Sequence, residues 1–198
     1  MNVAILTFDG FNELDSFIAS GVLGRMKKHG WNVQITSPTE FVTSMNGVVI
    51  MAQQPLEFAN QADVVLFGSG IKTKEISKNQ EMLSRLSLDP RAQLIGAQCS
   101  GSLLLLTLGL LKGTPACTDT VTKPWIQKSG IEVLEQPFYA SGNIATSGGC
   151  LSSYYLAAWV IYKLVGRNHA EAIIKTVAPV GQKDATVKQC MSVIGNYV

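Results

Sequence analysis

Apolar residues in this chain fall into short dense runs separated by amphipathic stretches. Residues 3–8, 62–67 and 92–97 are nearly continuous hydrophobic segments, each followed by a cluster of small or turn-forming residues. Runs of that length with β-branched residues read as strands buried on both faces. Residues 31–36 give a further strand closed by Ser37-Pro38, and residues 143–146 a late one. Residues 42–51 alternate about Asn46-Gly47, the pattern of a hairpin. Between the strands, helical periodicity covers about 12–29, where Leu14, Phe17, Ile18, Gly21 and Val22 share one arc and Gly30 is the stop signal. A polar helix is predicted over 72–87, a helix apolar all round over 102–111, and further helices over 151–165 and 169–177. Shorter elements are expected between 114 and 138, and the last twenty residues are polar and fit no clear pattern.

Strands alternating with helices predict a single α/β domain, residues 1–198, with a mostly parallel sheet covered on both faces. Neither internal repeats nor linkers interrupt it. In such sheets ligands bind where strands end and helices begin. Attention therefore falls on Asp9-Gly10, Gly68-Ser69-Gly70, Gln98-Cys99-Ser100-Gly101 and Ser147-Gly148-Gly149.

Composition narrows the picture. The chain has 198 residues, 46% hydrophobic and only 15% charged, against about 25% charged in ordinary domains. So little charge points to a surface that is partly covered, hence to a homodimer. A net charge of +2 gives no electrostatic case for nucleic acid or an acidic membrane. The longest apolar run, 103–111, falls well short of the ~20 residues that span a bilayer. The N-terminus lacks a basic leader, and the four cysteines (99, 117, 150 and 190) show no CxxC spacing. They read as free thiols of a cytoplasmic protein, with no metal or cofactor motif.

Cys99 is the thiol in a special place. It stands between strand 92–97 and the most apolar helix, with Ala97 two residues before and Gly101 two after. Small residues at those positions are what the sharp turn of a nucleophile elbow requires. The following helix would present free N–H groups and a partial positive charge to the sulfur, favouring thiolate, with the Ser100 amide foremost for holding developing negative charge. Of the other thiols, only Cys150, after Gly148-Gly149, is placed to line the same pocket.

Several segments together resemble the ThiJ/PfpI superfamily, the flavodoxin-like group related to class I glutamine amidotransferases. They are Ile5-Leu6-Thr7-Phe8-Asp9-Gly10-Phe11-Asn12-Glu13-Leu14-Asp15, the strand and loop 63–70, Cys99-Ser100-Gly101 with Gly109-Leu110-Leu111-Lys112-Gly113 behind it, and Gly142-Asn143-Ile144-Ala145-Thr146-Ser147-Gly148-Gly149. The resemblance implies an acidic partner for the nucleophile at Asp15, although helical phase alone sets both Glu13 and Asp15 beside the apolar arc. It implies oxyanion donors at the amides of Ser100 and Gly70, and a dimer. Ser69 stands where many relatives have glycine and adds a hydroxyl near the site.

Only two histidines exist. His29 closes a basic helix end, where the dipole favours it. His169-Ala170-Glu171 is similar to a glutamine amidotransferase motif, yet its neighbours read as the flank of an amphipathic helix. Protease-like relatives carry His where this chain has Ser100, and others place one in the segment of Cys117-Thr118-Asp119. The pairing of Cys with Asp resembles the isonitrile hydratase branch. The expected chemistry is addition of water to a small isonitrile through a Cys99 thioimidate, with Asp15 as acid and base, the Ser100 hydroxyl orienting that acid, and Trp125 and Tyr139 walling the pocket. Oxidation sensing through Cys99, and glyoxalase-like action on 2-oxoaldehydes, are the alternatives.

Overall fold

A computed structural model describes Met1–Val198 throughout. The chain opens with β1 (Asn2–Leu6), α1 (Glu13–Leu23) and a 3-10 turn (Gly24–His29), then β2 (Asn32–Ser37), the hairpin β3 (Phe41–Thr43) and β4 (Val49–Met51), and β5 (Gln54–Pro55). After a second 3-10 turn come β6 (Val64–Phe67), α2 (Thr73–Ile76), α3 (Gln80–Leu83), β7 (Leu94–Gln98), α4 (Gly101–Thr107) and α5 (Lys123–Gln127). The chain ends with β8 (Phe138–Ser141), β9 (Ile144–Ser147), α6 (Ser153–Val165), α7 (Arg167–Val177) and α8 (Lys183–Ile194).

Seven strands form one sheet in the order β5-β2-β1-β6-β7-β9-β8, parallel except where β8 runs antiparallel to β9. The two-residue period of a strand sorts its side chains between two cores. Val3, Ile5, Val64 and Leu66 face the core built with α1, α6, α7 and α8, whereas Ala4, Leu6, Val65 and Phe67 face the one built with α4. Trp159, Phe138 and Ile5 are the largest fully buried side chains of the first core. This is the expected α/β architecture. No helix is long and apolar enough to cross a membrane.

Four elements depart from the sequence reading. The arc of α1 that reads as a core face is only partly so: Val22 is buried and Ile18 packs on the core, but Leu14 and Phe17 are 47% and 40% exposed, while Asp15, Ser16, Ala19 and Leu23 are buried in their place. Close packing explains the rotation. The Ser16 hydroxyl bonds Thr7 Oγ1 at 3.1 Å, and Gly68 lies so near that an added Cβ would sit 2.8 Å from Ser16 Oγ. Only a small polar face can approach the sheet there, and it carries Asp15 inward with it. The polar helix 72–87 is two single turns, the second capped by Asn79, whose side chain accepts from the Met82 amide. The apolar helix stops at Thr107, and Gly109 at φ 74° turns the chain away. The final residues, polar overall, form α8, which closes the first core with Cys190, Met191 and Ile194.

Candidate active site

At the carboxyl end of β7 the chain turns sharply. Cys99 adopts φ 45°, making it the one non-glycine residue with a positive φ. Such a conformation strains an L-residue and persists only where its surroundings impose it. The surroundings are visible: the Cys99 amide donates to Ser147 O at 2.8 Å, and the Cys99 carbonyl accepts from Ser102 Oγ at 2.7 Å and Thr118 Oγ1 at 2.9 Å. A Cβ on Gly101 would lie 2.6 Å from Gly68 O, so the residue two after the thiol has to be glycine for α4 to pass β6. The elbow geometry follows from that clearance.

Asp15 arrives from the rotated face of α1. A carboxylate oxygen of Asp15 and the sulfurs of Cys99 and Cys150 lie within 4.8 Å of one another. Asp15 is 2% exposed and Cys99 3% exposed. The Ser69 hydroxyl donates to Asp15 Oδ2, whereas Asp15 Oδ1 is buried without a hydrogen-bond partner. Burial raises the Asp15 carboxyl above its ordinary value, and the Ser69 hydrogen bond pulls it part of the way back. Burial also pushes the Cys99 thiol far up, with the Asp15 charge adding to the effect. The expectation of a thiolate favoured by the helix dipole is thus corrected. Desolvation and a neighbouring carboxylate outweigh the partial charge at the start of a seven-residue helix.

The proposed oxyanion donors are both present, in unequal condition. Gly70 is sterically compelled, since a Cβ there would meet Gly10 O at 2.3 Å. Its amide points at Ser100 Oγ, 3.3 Å away. The Ser100 hydroxyl in turn donates to Thr73 Oγ1 at 2.9 Å and makes no contact with Asp15. Ser69, not Ser100, orients the acid. The Ser100 amide, by contrast, has no acceptor within the chain.

Ser69, Gly70, Cys99, Ser100 and Cys150 border a cavity of about 380 Å³ lined also by Asn12, Met45, Ile71, Asp119 and Trp125, with Asp15 buried behind its wall. Trp125 walls it as expected, with Lys74 Nζ 4.3 Å from the ring centroid. Tyr139 does not: it packs on Tyr197, ring centroids 5.4 Å apart, at the sheet edge. Asp119 binds the Val121 and Thr122 amides through Oδ1 and keeps Oδ2 buried and unpartnered. Neither histidine lines the cavity. His29 and His169 stack edge-to-face at 5.1 Å elsewhere, and Glu171 pairs with Arg167. Glu13 holds the hairpin through Ser44 and Asn46, in keeping with a structural acid at a helix start.

Asp15, Cys99 and Cys150 are also the one set of donors close enough to hold a metal ion. Spacing along the chain does not reveal it, because a helix and two turns distant in sequence meet there. Asn12, whose amide donates to Cys150 Sγ at 3.1 Å, is likewise invisible in sequence except as the cap of α1.

The family model described as DJ-1/PfpI matches residues 1–162. The chain belongs to the DJ-1/PfpI family. A solved structure of Schizosaccharomyces pombe DJ-1 superposes with a TM-score of 0.77 at 17% identity, covering 90% of this chain and 100% of that one. A ThiJ/PfpI family protein from Pseudomonas syringae gives 0.79 at 19% identity, over 98% and 87%. At those identities the likeness shows the fold. A curated relative, the isonitrile hydratase of Pseudomonas putida, is 25% identical over 133 residues, 67% of this chain. The matched region spans 58% of that relative's length.

Proposed function

We propose that this DJ-1/PfpI protein adds water to a small isonitrile, giving an N-substituted formamide. The observation that carries the reading is the meeting of buried Asp15 with the sulfur of Cys99, which lines a cavity that no histidine borders. The isonitrile hydratase among its relatives supports the choice of substrate class.

An isonitrile carbon accepts a proton and a nucleophile at the same atom. A buried carboxyl and thiol, both raised by burial and so holding their protons to higher pH than exposed groups would, suit that demand. Asp15, protonated, transfers its proton to the terminal carbon as the Cys99 sulfur bonds to it, and the thiol's own proton returns to Asp15. The product is a thioimidate, with one new C–H and one new C–S bond. Asp15 then gives its proton to the thioimidate nitrogen and, as a carboxylate, takes one from water as the oxygen attacks the same carbon. The C–S bond breaks as Asp15 passes that proton to the leaving sulfur and receives the proton of the new hydroxyl, so the formamide leaves with Cys99 restored as a thiol and Asp15 as an acid. The Ser100 amide supplies a hydrogen bond for charge that develops on the way, and Trp125 offers the apolar wall that an aryl or alkyl substituent needs.

Assay of the purified chain against a small panel of isonitriles, para-nitrophenyl isonitrile among them, is expected to yield the matching formamides. No formamide from any member would overturn the substrate assignment.

We infer also that the chain works as a homodimer. Leu14, Phe17 and Leu151 leave apolar surface exposed around a groove shared by α1, α6 and α7. That surface, beside a low charge content, suits a second copy of the chain. Phe17→Glu is expected to shift sedimentation from dimer to monomer; a wild-type monomer would contradict the inference.

A further inference from the structure

Cys150 sits at a place the hydration chemistry does not use. It opens the 3-10 turn Cys150–Ser152 directly after Gly148-Gly149, is half-buried, and borders the same cavity as Cys99. Its sulfur and that of Cys99 lie within 4.8 Å. The other two thiols, Cys117 and Cys190, are fully buried.

We propose that Cys150 is a resolving thiol: after a hydroperoxide oxidises Cys99, Cys150 closes a reversible disulfide onto it. This second reaction of Cys99 stands or falls independently of whether an isonitrile is the substrate.

The two residues differ in freedom. Cys99 is pinned through its amide and carbonyl, so its sulfur stays where the elbow puts it. Cys150 follows Gly149, which has φ 85° and open space around it, the nearest atom to an added Cβ being Ser152 Oγ at 3.8 Å. A disulfide needs S–S near 2.05 Å, so the sulfurs must approach by under ~3 Å. Rotation of the Cys150 side chain together with a shift of that turn supplies the movement. Asn12 Nδ2, donating to Cys150 Sγ, holds the thiol toward the cavity meanwhile.

The chemistry balances with a hydroperoxide as the oxidant. The Cys99 sulfur attacks one peroxide oxygen and the O–O bond breaks. The thiol proton leaves with the departing oxygen as water or an alcohol, Asp15 relaying it, and Cys99 is left as a sulfenic acid. The Cys150 sulfur then bonds to the Cys99 sulfur, the S–O bond breaks, and hydroxide takes the Cys150 proton to leave as water. Two thiols lose two electrons in total and one peroxide gains them. A sulfenic acid without such a partner proceeds to sulfinic acid, which is not readily reversed.

The test treats the full chain with one equivalent of hydrogen peroxide, blocks free thiols, and maps peptides by mass spectrometry. Wild-type protein is expected to show a Cys99–Cys150 linked peptide pair that dithiothreitol removes. Cys150→Ser and Cys150→Ala, each checked for native circular dichroism, are expected to carry a dimedone-reactive sulfenate at Cys99. At higher dose they should accumulate roughly tenfold more Cys99 sulfinate than wild type. Equal sulfenate or sulfinate in wild type and variants, a disulfide that excludes Cys150, or no oxidation at Cys99 would each overturn the proposal.

Discussion

Cys99→Ala is expected to lose isonitrile hydration by at least about 10⁴-fold in kcat, the scale on which removal of a covalent nucleophile acts elsewhere. Fold stability should change far less. Alanine meets the same φ of 45° with no greater strain than cysteine does, and the deleted atom is a single sulfur. A pH signature accompanies the change. Burial and the Asp15 charge raise the Cys99 thiol in the folded state, so the native protein binds its proton more tightly than the unfolded chain. Stability of the wild type must then fall as pH rises above the unfolded thiol value of about 8.5, and the fall is shallower in Cys99→Ala, where only the other buried thiols, Cys117 and Cys190 among them, contribute to it. Urea denaturation of both proteins across the alkaline range reads the difference.

The second large effect belongs to Asp15. Asp15→Asn keeps the shape but has no proton to give, and kcat is expected to fall by about 10²–10⁴-fold. The pH profile tells this apart from a structural lesion. Burial raises the Asp15 carboxyl, so its protonated form persists to higher pH than that of an exposed aspartate. Wild-type kcat/KM should decline as pH climbs through that raised value, and the decline should vanish in the residual activity of Asp15→Asn. Stability follows the same pH direction in the wild type, but the substitution affects it oppositely to activity. A carboxyl raised by folding favours the native state while protonated, and that contribution is lost between the unfolded value near 3.9 and the folded one. At neutral pH Asp15→Asn should therefore match or exceed the wild type in urea. A variant that unfolds instead would mean that Asp15 serves packing.

Much of this arrangement was legible from residue patterns. The buried strands announce themselves as apolar runs, and Ala97, Cys99 and Gly101 mark the elbow because steric clearance demands small residues there. What stayed hidden depends on contacts between distant segments. The face of α1 is chosen by Ser16 and Gly68 packing against β1 and β6, not by the apolar count of its own sequence, so Leu14 and Phe17 read as core and lie outside it. The same rotation brings Asp15 inward. The raised thiol follows from burial, a quantity that the helix following Cys99 cannot reveal by itself. Ser69 rather than Ser100 holds the acid because the Ser100 hydroxyl is already engaged with Thr73. The position of Cys150 after Gly148-Gly149 places it at the pocket, but its approach to Asp15 and its bond from Asn12 emerge only when distant segments converge.

The central claim is that the Cys99 sulfur bonds covalently to the isonitrile carbon. Rapid quenching of wild-type protein with para-nitrophenyl isonitrile, followed by intact and peptide mass analysis, measures it directly. The expected result is an adduct of one isonitrile on the peptide containing Cys99, formed before product and decaying to formamide at the rate of turnover. Formamide produced with no adduct, or with the adduct on another residue, would contradict it.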